Sequence, residues 1–336
     1  MPIIELTKEY ERQWEEFIGN NDRASFSHSL MVRPIIKDNY GYQDHYLISL
    51  NTTNNLINGA LPLFKTNKNK LISLPFFDQA GIIADNQDVI KNFIDYLSSL
   101  TKKSNTQYEL RQGDKLDLPE NCLNSHNVTS IVHLIMDPAE LWKKIDKKVR
   151  NQVRKAEKYH PDFFIDKQYF QEFYRLYSKT MARHGTPAHK KNFLSDIFNQ
   201  LPDSSIAAVK YNNKVVAAAL IIKFQEKLFI PWAASDYRLK NYNFNDYLYW
   251  QILSYACQNK ISSVNLGRSQ NDSSVLRFKN QWDSVNYQLY YYLISPSTKK
   301  IISPQQSKLK YLALIYQHLP YTLTKYLGPS LRKYLP

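Results

Sequence analysis

The order helix, strands, helix, strands runs through this chain twice, and that double alternation restricts the fold more than any single motif does. A helical pattern over residues 5–19 sets Tyr10, Trp14 and Phe17 on one side. Strand-like runs follow at 46–50, 56–64 and 70–77, then a helix over about 87–101 and strands at 108–112 and 130–136. The second half opens with LWKKIDKKVRNQVRKAEK (141–158), where Trp142, Ile145, Val149, Val153 and Ala156 form one helical stripe opposite a cationic face. Helices at 168–183 and 190–200 lead to SIAAVKY, KVVAAALIIKF and KLFIPWAAS, with Asn212-Asn213 as a hairpin turn between the first two. A helix at 244–258, the strand 263–267 and a Tyr-rich strand at 287–294 close the unit. This alternation predicts an α/β (α+β) chain with mixed sheets. The expected division is an N-terminal domain at 1–140, a C-terminal domain at 141–300 and a basic amphipathic tail at 301–336. The repetition is of element order alone.

A length of 336 residues suits about two domains. With 43% hydrophobic and 14% aromatic residues there is material for packed cores, which excludes a disordered chain. The eight glycines are not clustered, so no glycine-rich phosphate loop is available. A net charge of +14 favours a polyanionic partner: a phosphorylated cofactor, tRNA, a nucleotide-linked precursor or an anionic membrane. Lysine-rich composition on its own is the competing account of that charge. Cys122 and Cys257 give neither a disulfide framework nor metal spacing, which fits a reducing compartment. The first residues are acidic and amphipathic, unlike a signal peptide, and no apolar run reaches the roughly 20 residues that span a bilayer. The expectation is a cytoplasmic protein. The tail from Ser307 carries Lys308, Lys310, Lys325, Arg332 and Lys333 without an acidic residue. It either contacts the inner face of an anionic membrane or docks on its own domain.

Several segments together resemble one family. They are LWKKIDKKVRNQVRKAEK, RHGTPAH (183–189), PWAASDYR (231–238), DYLYWQILSYA (246–256), NLGRSQ (265–270) and RFKNQW (277–282), with SLPFFDQAG (73–81) and YELRQ (108–112) in the first half. The chain is similar over nearly its whole length to the FemAB-related group of GNAT-fold proteins, particularly the branch associated with exosortase/PEP-CTERM and exopolysaccharide systems. That resemblance implies tandem GNAT-like (acyl-CoA N-acyltransferase-like) domains and acyl transfer. Fem-type proteins use aminoacyl-tRNA to extend a peptidoglycan precursor. Two positions depart from the pattern: Asp283 stands where glycine usually follows FK-x-x-W, and Ser273-Ser274 where Gly-Thr commonly precedes the FK segment.

Amide formation from an activated acyl donor needs a neutral amine, a stabilised oxyanion and substrates held at attack distance. Lys279 is the leading candidate for the oxyanion's cation, and the resemblance implies that Phe278 and Lys279 line the junction of donor and acceptor. The bland alternative is a surface lysine beside a buried Phe278 and Trp282. Arg268, after a glycine at a strand end, suits a phosphate or carboxylate, or else an ordinary salt bridge. Lys147, Arg150, Arg154 and Lys155 on the cationic helix are donor-binding candidates, or a solvated face. Trp232, beside Ala233 and Ala234, lines an acceptor pocket or sits in the core. Asp78 and Arg111 occupy strand ends where they either bind the acceptor or pair with each other. His184 and His189 flank a turn and can titrate near neutrality. No Ser-His-Asp set, metal cluster or P-loop can be assembled, so no metal and no resident cofactor are expected.

Three functions compete. The first is an aminoacyl-tRNA-dependent transferase acting on an amine of a cell-wall, glycan or lipid-linked precursor. The second is an acyl-CoA-dependent N-acyltransferase of exopolysaccharide or lipid assembly. The third is a non-catalytic module that docks on anionic surfaces. The segment KNYNFNDYLYW opens the helix at 244–258 with Asn and Asp rather than a glycine turn, which favours the first.

Overall fold

A computed structural model describes residues 2–67, 69–135, 137–296 and 315–335. The chain forms two compact units. One runs to Val128 and takes back the segment from Gln288; the other spans Thr129–Tyr287 and includes the described C-terminal residues. Residues 301–314 of the basic tail, with Lys308 and Lys310, lie outside the described residues.

The first unit holds β1 (Ile3–Glu5), α1 (Glu11–Gly19), α2 (Val32–Tyr40), β2 (Gln43–Asp44), β3 (Leu47–Leu50), β4 (Ile57–Leu61), β5 (Phe64–Asn67), β6 (Lys70–Ile72), β7 (Ile83–Ala84), α3 (Gln87–Ser104) and β8 (Gln107–Gln112). Strands β1-β3-β4-β7 form one antiparallel sheet. Parallel pairing of β6 with β8 makes the other mixed. Helix α3 is capped by Asn86, whose side chain accepts from the Val89 amide, and it buries Val89, Phe93 and Leu97 against β4 and β8. Gly59 lies under this helix because a Cβ there would meet Val89 Cγ1 at 2.6 Å and Phe93 Cε2 at 2.7 Å.

The chain crosses to the second unit within β9 (Leu123–His133). There follow α4 (Pro138–Lys144), α5 (Lys147–Glu157), β10 (Asp162–Ile165), α6 (Phe170–Arg183), α7 (Lys191–Gln200), β11 (Ser204–Tyr211), β12 (Lys214–Phe224), β13 (Lys227–Ser235), α8 (Phe244–Gln258), β14 (Ser263–Gln270), α9 (Ser274–Asn280), β15 (Val285–Ile294) and α10 (Tyr321–Arg332). The single helix expected over 141–158 is two. Ile145 leaves the helix with extended backbone, and Asp146 caps α5 by accepting from the Lys148 amide at 2.6 Å. A short acidic side chain that can satisfy a free helix amide starts a new helix more readily than it continues an old one.

Strands β10 to β13 are antiparallel neighbours in order, and β13 then pairs with β14 in parallel. The β11–β12 hairpin turns through Asn212 and Asn213, both at positive φ (49° and 60°), which asparagine tolerates. Leu141, Ile145, Val149, Val153 and Ala156 all reach the core that α4, α5 and α8 cover. Helix α6 packs on β12 and β13. No helix among the described residues is long and apolar enough to cross a membrane.

Replacing Gly59 with alanine is expected to destabilise the first unit by about 1–3 kcal/mol, because the added Cβ presses on the fully buried Val89 and Phe93. Urea unfolding of the variant measures it; an unchanged midpoint would show that α3 shifts freely.

Candidate active site

In the second unit, β13 and β14 pair over Lys227–Phe229 only. Beyond that point β13 keeps its β12 partner through Ser235, and its other edge has no β14 register. Small residues follow: Ala233, Ala234 and Ser235. Asp236 then accepts from the Arg238 amide at 3.1 Å and starts a short 3-10 turn, Tyr237–Tyr242. Asn243, at φ 58°, redirects the chain into α8. The result is a cavity of about 320 Å³ walled by Ala233, Ala234, Phe244, Asp246, Tyr249 and Phe278. The exposed residues Arg183, His184 and Lys240, with Ser274 and Val275 from α9, complete its lining at the rim.

Asp246 lies in the first turn of α8 and is 9% exposed. Burial pushes its carboxyl up to about 6, opposed by its own backbone N–H and the charge of Lys148. One turn along the same face, Tyr249 is buried with its phenol pushed up to about 12, and so keeps its proton at neutral pH. The Tyr249 ring stands edge-on to Phe278 at 5.0 Å and stacks on Trp282 at 5.9 Å. An acceptor of protons and a donor of a hydrogen bond thus share one wall. Sequence reasoning passed over Asp246, since an acidic residue in a helix's first turn ordinarily reads as a favourable dipole contact. Only its burial distinguishes it.

At the rim, the Arg183 guanidinium lies 4.3 Å from the centre of the Tyr237 ring, and its Nη2 donates to His184 Nε2 at 3.2 Å. Burial and Arg183 both lower the His184 imidazole, so the ring is neutral near pH 7. Lys240 Nζ donates to the Tyr237 hydroxyl at 3.2 Å. A second, open groove of about 530 Å³ is lined by Lys147, Lys148, Asn151, Gln152 and Lys155 of α5 together with Asn243. Asn243 belongs to both linings, so the basic groove adjoins the cavity at the start of α8.

The candidates named from sequence fall in different places. Phe278 lines the cavity. Lys279 is only 4% exposed, and its Nζ donates to the carbonyls of Gly267 at 2.7 Å and Arg268 at 3.0 Å, clamping the end of β14. Lys147 and Lys155 line the groove, while Arg154 covers the Trp142 ring at 5.6 Å and Arg150 is half-buried. Arg268 is exposed beyond the cavity lining, and Ser269 is buried. Trp232 stands edge-on to His189 at 5.6 Å and Phe193 at 6.3 Å, with Ala233 in the cavity wall beside it. His189 is buried against Phe193, and its imidazole is driven well below the usual range by burial and by Arg332.

Arg111 and Asp78 belong to the first unit. Arg111 is buried, donates to Glu109 Oε1 at 2.9 Å and to the Phe77 carbonyl at 3.1 Å, and lies 5.5 Å from the Tyr291 ring. Burial raises the Glu109 carboxyl, but Arg111 and Lys70 outweigh it and hold the group at about 2. Arg111 thereby braces a loop in which Leu74 and Phe76 take positive φ (58° and 76°). Asp78 accepts at its main-chain carbonyl from the Tyr291 hydroxyl at 2.9 Å. Among the described residues no three acidic, histidine or cysteine side chains are arranged to hold a metal ion.

Residues 143–280 match the family model described as an acetyltransferase (GNAT) domain. No curated protein matches the sequence. Among solved structures, FemX is similar at 12% identity, covering 87% of this chain and 97% of that one with a TM-score of 0.66. The C-terminal domain of a putative lysylphosphatidylglycerol synthetase from Agrobacterium fabrum is similar at 11% identity, covering 91% and 95%, TM-score 0.55. A tandem GNAT protein from the clavulanic acid biosynthesis pathway is similar at 8% identity, covering 88% and 99%, TM-score 0.52. The fold is α/β, with tandem GNAT-like domains and mixed sheets.

Lys279→Met keeps the buried stem but leaves the Gly267 and Arg268 carbonyls without their ammonium donor. A loss of about 1–3 kcal/mol in chemical denaturation is expected. A variant as stable as the parent would remove Lys279 from the support of β14.

Proposed function

We propose that the cavity of the second unit is the active site of an acyltransferase that moves an activated acyl or aminoacyl group onto an amine. The observation that carries this reading is the buried Asp246 carboxyl, poised at about 6 in the wall of a cavity where β13 and β14 part. An amine in water is mostly protonated and cannot attack. A carboxylate of that affinity is ionised at neutral pH yet basic enough to take the proton as the N–C bond forms, and it can hand that proton to the oxygen or sulfur that leaves as the donor's acyl bond breaks. The β13 edge released from β14 offers main-chain groups to the acyl carbonyl, and Tyr249 offers an O–H. In this reading Lys279 acts through β14, holding the Arg268 segment beside the cavity, and Phe278 packs the acyl chain.

The donor favoured is aminoacyl-tRNA. A polynucleotide needs a broad cationic track, and the Lys147, Lys148 and Lys155 face adjoins the cavity at Asn243. The turn before α8 carries Asp236 and Asn243 rather than glycines, and their side chains limit how closely a compact pyrophosphate can approach the main chain. The likeness to FemX and to a putative lysylphosphatidylglycerol synthetase is consistent with this donor. The acceptor is then an amine of a cell-wall, glycan or lipid-linked precursor. Acyl-CoA in exopolysaccharide assembly is the competing donor, favoured by the family match over residues 143–280.

Two measurements decide between these. Binding of aminoacylated tRNA, followed by anisotropy over a salt series, is expected to fall with a log–log slope of magnitude about 3, as roughly four neutralised phosphates require. Lys147→Glu with Lys155→Glu should lower that slope by about 2. A flat tRNA response, together with thermal stabilisation by acyl-CoA, would replace the donor.

Asp246→Asn is expected to reduce transfer by about 100-fold or more and to flatten the acidic limb of the pH–rate profile. Its effect on stability has the opposite sign. The native carboxyl binds its proton more tightly than the unfolded one, so wild-type stability falls as pH rises from about 4 to 6 and stays lowered above. The asparagine variant should therefore gain up to about 3 kcal/mol above pH 6 and nothing below pH 4. Transfer that survives with its pH profile intact would sink the assignment.

A further inference from the structure

Helix α10 is inverted. Its inward face is small and polar: Thr324 and Gly328 are buried, and Gly328 sits so close that a Cβ would meet Tyr316 Oη at 2.4 Å and the Ala188 amide nitrogen at 3.2 Å. Polar contacts hold that face down. Ser178 Oγ and the Tyr321 hydroxyl are 2.8 Å apart, and the Tyr316 hydroxyl donates to the Thr324 carbonyl at 2.9 Å. The leucines run along the edge of that face and stay about half open to solvent. Leu323, Leu327 and Leu331, at i, i+4 and i+8, are 49%, 46% and 43% exposed, and Tyr326 and Tyr334 beside them are 74% and 78% exposed. A helix packed on a globular domain normally turns its apolar stripe inward, as α5 does here with Val149, Val153 and Ala156. Helix α10 sets its small face against α6 and the Ala188 segment and leaves leucine and tyrosine open to the outside.

Charge indicates what covers that face. Lys325 and Lys333 are exposed at its flanks, and Asp283 is the last acidic residue of the whole chain. A second copy of this face would set lysine against lysine across a twofold axis, which opposes self-association. An anionic bilayer meets all three features. Leucine enters the acyl boundary, tyrosine sits at headgroup level, and lysine reaches the phosphates. We propose that α10 is an interfacial anchor that docks the second unit on an anionic membrane surface, independently of the transfer chemistry.

The test is co-sedimentation of the full-length protein with vesicles of mixed phosphatidylglycerol and phosphatidylcholine, and with phosphatidylcholine vesicles alone. Wild-type protein should bind the mixed vesicles and bind the neutral ones at least tenfold more weakly. Leu327→Gln with Leu331→Gln should lose binding while keeping the native circular dichroism, because both side chains are already exposed. Lys325→Gln with Lys333→Gln should weaken it about fivefold per charge. Three results would each overturn the proposal. One is equal sedimentation of the wild type and the leucine variant. Another is loss of vesicle binding in the Lys147→Glu, Lys155→Glu variant but not in the leucine variant. The third is a wild-type dimer in sedimentation velocity that Leu327→Gln dissociates.

Discussion

Strands β13 and β14 separate after three paired residues, and the polar main chain that separation uncovers has to be satisfied by something other than a neighbouring strand. Lys279 supplies part of the answer. Its buried ammonium takes the Gly267 and Arg268 carbonyls at the end of β14, where Gly267 adopts φ 80°. The Asn265 side chain takes the Gly267 amide at 2.7 Å. With those groups met, the strands need not close, and the gap fills with side chains from α8 and α9. Cavity, Asp246 and Phe278 all follow from a pairing that stops short.

The electrostatics of the gap run against the rest of the molecule. In a chain of net charge +14, the cavity's buried ionisable wall residue is an acid, while the cations stand at the rim and along α5. Placing a carboxyl where water is scarce costs stability at neutral pH, and the charge of Lys148 relieves only part of that. A residue with no function at this position would be replaced at a gain. The arrangement separates two tasks: the rim and groove attract an anionic donor, and the low-dielectric wall keeps a base whose affinity for protons suits an amine.

Much of the architecture was legible because period and turn chemistry are local. The helix at 244–258 and the strand near 287–294 appear within two residues of where their patterns place them. The Asn212-Asn213 turn is a left-handed pair whose residues tolerate that conformation. Local rules failed where two local preferences compete. Asp146 can continue a helix or cap one, and the stripe through Ile145 and Val149 is compatible with both. Helix α2 does carry a helical spacing, Val32, Ile35, Ile36 and Tyr40, which the sequence reading passed over.

Site residues were less legible, because function depends on direction, and direction is set by tertiary packing. Trp232 and Ala233 are neighbours in β13, yet the ring packs against His189 and Phe193 while Ala233 lines the cavity, so the aromatic drew attention away from the small residue. Arg111 reads as a ligand-binding guanidinium until Glu109 and the Phe77 carbonyl are seen to engage it. Helix α10 shows the same limit most sharply. A 3.6-residue repeat states that leucines share a face and leaves open whether the face looks inward. What decides it is Gly328, which can approach Tyr316 and Ala188 closely only because it has no side chain. That contact, with the Ser178–Tyr321 and Tyr316–Thr324 hydrogen bonds, holds this side of the helix to the protein and leaves Leu323, Leu327 and Leu331 partly open to the outside.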